Sequence, residues 1–143
     1  MRLTILTVFT VLFSFNSVNA QQAQVSEIQH IQTTIQFYFE GWATSDTTKI
    51  GKAMHSSCQL KFFRDGQFTN LSRAEYLGRF KPEIKPWPAG LTTRIVSLDI
   101  TENIASAKTE IDTGKDVFTD YFNLIKTNEG WFIVDKIAVR KSK

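Results

Sequence analysis

From Leu91 to the C-terminus the chain presents extended apolar segments one after another, with no helix-period stretch between them. "LTTRIVSLDI" and "IASAKTEID" flank a tight turn near Glu102-Asn103, and two more strands follow "TGKD". Everything helical lies upstream. Ile28, Ile31, Ile35, Tyr38, Phe39 and Trp42 recur at helical spacing, with Gln29, Gln32, Thr33, Gln36 and Glu40 on the other side. Ser26 stands where a cap is needed and Gly41 near the end, while Phe37 falls opposite the apolar stripe. "SDTTKIGKAMH" predicts a short helix capped by Ser45 or Asp46. "CQLKFFRDGQFTNLS" predicts a hairpin turning at Asp65-Gly66. Ser72 and Glu75 have capping-box spacing ahead of Tyr76, Leu77 and Phe80. All three prolines sit in "KPEIKPWPAG", a loop whose Trp87 acts either as a packed plug or as a movable lid. Helices followed by consecutive strands make an α+β fold, with helices on one face of an antiparallel sheet.

The chain has 143 residues, enough for one domain and a modest core. Its twelve Phe and 13% aromatic content suit a tight core or an aromatic-lined cavity. A net charge of +3 argues against a dedicated nucleic-acid surface, and the terminal "RKSK" reads as a solvated tail. Residues 1–20 have the layout of a secretory signal: Arg2, an apolar run from Leu3 to Phe15, and a small-residue end at Ala20. The run is short for a membrane span. The expectation is an exported domain over 21–143, periplasmic or extracellular, with no stable membrane insertion once the signal is removed. The single cysteine, Cys58, allows no intrachain disulfide and reads as a small buried hydrophobe. Two histidines and one cysteine, widely spaced, make no recognisable metal site, and nothing implies a cofactor.

The segment "FTDYFNLIKTNEGWFIVDKIAVRKSK" carries polar residues inside two apolar strands. A three-residue loop "NEG", with Gly130 in the left-handed position, makes strand partners sum to 258 in residue number. Asn123 then faces Asp135, Leu124 faces Val134, and Ile125 faces Ile133. The alternative sum, 257, sets Phe122 against Asp135 and is the poorer match. Strand alternation places Tyr121, Asn123, Ile125, Trp131, Ile133, Asp135, Ile137 and Val139 on one face. Asp120, Phe122, Leu124, Lys136 and Arg140 lie on the other, where Asp120 forms a cross-strand ion cluster with Lys136 and Arg140, read as a solvated or dimer-facing patch. Tyr121, Asn123 and Asp135 form a polar island on the first face: an internally bonded network or the floor of a pocket. Both faces are largely apolar, which predicts a homodimer packed sheet to sheet.

"AKTEID...FTDYFNLIKTNEGWFIVDKIAVRK", with "FYFEGWATSD" and "AMHSSCQLKFFRDGQFTNLSRAEYLGRF" upstream, resembles the putative lumazine-binding family of the nuclear transport factor 2-like superfamily. That superfamily also holds SnoaL-like cyclases, scytalone dehydratase and ketosteroid isomerase. The resemblance implies a cone-shaped roll, with N-terminal helices packed in the concave face of a strongly curved, mainly antiparallel sheet. Trp131 and Ile133 match the family's W-x-I core positions, so it implies that their face is concave. The pocket candidates are then Tyr38, Trp42, His55, Phe63, Tyr76, Trp87, Tyr121, Asn123 and Asp135, with the homodimer forming on the convex face. The expected function is an exported binding domain for a small apolar or heteroaromatic molecule. Two alternatives stand beside it. One is an isomerase or hydro-lyase using the pocket carboxylate Asp135 with Tyr121. The other is a homodimeric interaction module whose cavity is closed by Trp42, Trp87 and Phe63.

Overall fold

The computed structural model describes residues 5–64 and 66–143, with side chains from residue 25 onward. The expected export signal at 1–20 lies outside the residues whose side chains are described. The first helix, α1, spans Ile5–Thr44, and its apolar stripe buries Ile31, Ile35, Tyr38 and Phe39. Its flank is fastened to the sheet: the Trp131 indole N–H donates to Glu27 at 2.6 Å, and the Thr34 hydroxyl donates to the Trp131 carbonyl at 3.1 Å. Phe37 is half-buried, with the Lys52 ammonium 5.8 Å from its ring centre.

The chain reverses at Ser45, with φ of 63°, and Asp46 caps α2 (Thr47–Ala53) by accepting from the Thr48 and Lys49 amides. The two helices cross at Gly41. A Cβ there would stand 2.6 Å from the Asp46 carbonyl oxygen and from Ile50 Cγ1, so only glycine permits the approach. β1 (Met54–Arg64) and β2 (Gln67–Ser72) pair with Arg64 opposite Gln67, as the Asp65-Gly66 turn predicts. Both arms of the expected capping box, Ser72 and Glu75, form at the start of α3 (Arg73–Leu77).

β3 (Thr92–Thr101), β4 (Ile104–Asp112), β5 (Asp116–Thr127) and β6 (Gly130–Ser142) complete a six-stranded open sheet in the order β2-β1-β6-β5-β4-β3. Every pair is antiparallel except β1 with β6. The register shifts once in β1–β6, once in β3–β4 and once in β5–β6, and such irregularities bend a sheet. The helices pack against its inner face, giving the α+β cone that the element order and the family resemblance predict.

The terminal hairpin corrects one expectation. Partners sum to 258 from Asp116↔Ser142 to Asn123↔Asp135, but to 257 from Leu124↔Ile133 to Thr127↔Gly130. The turn is therefore two residues, Asn128-Glu129, and an extra residue is accommodated at Val134. Both registers occur, one on each side of that bulge. Crossing it reverses which parity faces inward: Trp131 and Ile133 are buried before it, Lys136 after it. On β5 the inner face is Phe118, Asp120, Phe122 and Leu124. Tyr121, Asn123 and Ile125 point out. The concave assignment holds for Trp131 and Ile133 and fails for Tyr121, Asn123 and Asp135.

Candidate functional site

The inner face beyond the bulge opens into a cavity of about 430 Å³ between the end of α1, α3 and the C-terminal half of β6. Strand alternation supplies Leu60, Phe62 and Arg64 from β1, and Lys136, Ala138 and Arg140 from β6. Trp42 comes from the last turns of α1, one helical turn after Tyr38, and its ring meets Phe118 of β5 edge-on at 5.1 Å. Tyr76 from α3 and Arg79 just beyond that helix close the remaining side.

Two buried polar pairs lie at the base. Lys136 is ion-paired with Asp120, and both are almost wholly withdrawn from water. The Lys136 ammonium also stands 5.4 Å from the Tyr38 ring centre and 5.8 Å from that of Phe122. Burial pulls this lysine below the usual lysine range, and Asp120 opposes the shift by favouring the charged form. Beside it, the Tyr38 and Tyr76 hydroxyls share a hydrogen bond of 2.8 Å. Desolvation raises both phenols well above their ordinary value, so both stay protonated donors at neutral pH. Thr109, directly opposite Asp120 in the β4–β5 ladder, is buried with its hydroxyl unpartnered. Cys58 is buried nearby, and desolvation, then the Asp135 charge, push its thiol up to about 12.

Four of the nine expected pocket residues gather here. Trp42 and Tyr76 line the cavity, Phe63 stands at its rim, 72% exposed and against Phe68, and Tyr38 lies behind Tyr76. The other five lie elsewhere. His55 bonds Ser57 at 2.8 Å and meets the Phe132 ring. Trp87 donates to the carbonyl of Leu91 at 3.1 Å, at the end of its own loop; its ring is partly exposed, is not a core plug and does not line the cavity. Tyr121 is half exposed under Lys108, and Asn123 lies in a separate hollow of about 300 Å³ with Ser106 and Ile125. Asp135 sits at the bulge and pairs with Lys61 of β1. Of the three residues that the interaction-module alternative would use to close the cavity, Trp42 and Phe63 border it and Trp87 does not. Asp120 and Lys136 were visible in the sequence as a diagonal cross-strand pair, and that pairing holds; what fails is its assignment to the outer patch. Arg140 bonds Asp116 instead. Among the described residues, no cluster of His, Cys, Asp and Glu could hold a metal ion.

Nothing among functionally curated proteins matches the chain. Solved structures do. An NTF2-like protein of unknown function from Shewanella baltica OS155 is 25% identical, with a TM-score of 0.75 over 83% of this chain and 97% of that one. An NTF-2 like protein of unknown function from Silicibacter pomeroyi DSS-3 is 16% identical, with a TM-score of 0.70 over 82% and 98%. An NTF2-like protein with a cystatin-like fold from Novosphingobium aromaticivorans is 13% identical, with a TM-score of 0.62 over 86% and 87%. Residues 26–137 match the family described as "Putative lumazine-binding", and the chain belongs to that family, within the NTF2-like superfamily.

Proposed function

We propose that the chain is an exported small-molecule-binding domain whose ligand occupies the cavity between α1, α3 and β6. The observation that carries this reading is an aromatic-walled space of about 430 Å³ with buried polar groups at its base. Trp42, Phe62 and Phe118 offer faces and edges to a flat apolar or heteroaromatic body. Tyr76 and Lys136 offer donors to its acceptor atoms. The family's lumazine is one molecule of this kind.

Native mass spectrometry of protein from its own source tests the reading. The expected result is a stoichiometric small-molecule adduct, absent in Ala138→Phe, which fills the cavity with apolar volume. An adduct retained in that variant places the ligand elsewhere. Export is supported by the signal layout of residues 1–20; among the described residues no helix is long and apolar enough to cross a membrane. An exported form whose intact mass begins at Gln21 is the expected product.

A second reading is an isomerase or hydro-lyase. The Asp120–Lys136 pair beside Tyr76 favours it, being an acid–base couple at an apolar wall. Asp135 is paired with Lys61 and does not line this cavity. An enzyme returns a converted ligand; a binder returns it unchanged.

A further inference from the structure

We infer that the ligand is an anion: a flat apolar body bearing a carboxylate or sulfonate, with the charge held at the rim by Arg79 and Arg64. This deepens the small-molecule reading and rests on it.

The argument is a charge balance over the cavity wall. Four cationic side chains line it, Arg64, Arg79, Lys136 and Arg140, and among the described residues no carboxylate does. Two of the four are already neutralised within the fold, Lys136 by Asp120 and Arg140 by Asp116. Arg64 and Arg79 make no ion pair among the described residues. Glu75, four residues before Arg79, is bonded within the capping box; Ser72 first, and the Arg79 charge to a lesser degree, hold its carboxylate below the ordinary range, but Glu75 and Arg79 form no ion pair. Each guanidinium lies 5.9 Å from the centre of the Phe62 ring, itself part of the wall. Guanidinium geometry suits a carboxylate or sulfonate, which can accept two parallel N–H bonds. The body of such a molecule would lie against Phe62, Phe118 and Trp42, leaving its charged end in reach of solvent at the rim. That end need not be desolvated, so its binding avoids the cost of burying a charge.

The test uses a nearly isosteric pair of flat aromatic probes, 2-naphthoate and neutral 2-naphthamide, titrated calorimetrically into the whole exported chain. The expected result is tighter binding of naphthoate by about tenfold, as for one added charge-assisted contact. The preference falls with added salt, because the rim is exposed, and it disappears in Arg64→Met/Arg79→Met, whose side chains keep the cover over Phe62. Equal affinities for the two probes overturn the anion inference and leave the binding reading standing. A preference that survives in the double variant overturns the assignment to these arginines and moves the contact to Lys136. Binding of neither probe, with the folded state verified by its melting transition, counts against both readings.

Discussion

Asp120 and Lys136 are the two charged side chains that the described fold removes from water, and each depends on the other for that position. Removing one leaves its partner buried and unpaired. Asp120→Ala is therefore expected to cost about 3–5 kcal/mol, whereas Asp120→Leu/Lys136→Met costs far less, because the apolar replacement leaves no charge behind. Urea denaturation of the three proteins checks this; equal losses in the single and double variants would contradict it. Cys58 contributes at the same scale, through pH. Burial first, and the Asp135 charge after it, push its folded thiol from an ordinary value near 9 up to about 12. The unfolded chain thus loses this proton first. The stabilisation is complete below pH 9 and is lost as pH rises towards 12, by at most about 1.4 kcal/mol per pH unit. Tyr38 and Tyr76 add the same sign above their ordinary value of 10. Between pH 9 and 10, Cys58→Val should flatten the decline of the urea midpoint.

At the scale of elements, helix packing and strand parity behave differently under sequence reading. The α1–α2 crossing is local, and its requirement is a single missing Cβ. Gly41→Ala is expected to destabilise by about 1–3 kcal/mol through overpacking, since the nearest atom is the backbone oxygen of Asp46 and cannot rotate away. Thermal unfolding of that variant is the measurement; an unchanged midpoint would mean that the helices separate without cost. Caps and turns are legible for the same local reason: Asp46, the Ser72–Glu75 box and the Asp65-Gly66 turn each need only neighbours in sequence. Strand parity is legible only until a bulge intervenes. The register summing to 258 is the better match in the sequence and holds only as far as Asn123↔Asp135; the poorer one, 257, holds from Leu124↔Ile133 to the turn. Nothing in "WFIVDKIAV" marks the extra residue, because apolar side chains suit either face of this strand.

At the scale of the molecule, the outer face of the sheet is the largest question the fold poses. Ile104, Tyr121, Ile137 and Val139 are each more than half exposed there, among strands too apolar for a fully solvated surface. The expected homodimer would cover them. Sedimentation equilibrium should give a dimer mass, and Ile137→Lys should reduce it to a monomer without unfolding the chain. A monomer in the unmutated protein would rule out the sheet-to-sheet pairing. The candidate site is also a whole-molecule property. Trp42 and Tyr76 were identifiable as aromatic residues on helix faces. Arg64 and Arg79 were not, since exposed arginines carry no sequence signal until the wall they share exists.

By itself the sequence determined the order of helices and strands, the Asp46 cap and the Ser72–Glu75 box, the outer half of the last hairpin's register and, through its resemblance, the cone. All of these follow from contacts between neighbours or from periodicity within one element. It misplaced a cap at Ser26, which lies inside α1, and made the last turn one residue too long. Tertiary structure alone decided which face of β6 looks inward past Val134. It thereby made Asp120 and Lys136 part of the interior and left Tyr121 and Asn123 outside. A one-residue bulge changes no composition and little local energy, yet it inverts every side chain beyond it. Its position is selected by the whole packing of α1, β1 and β5 against the strand.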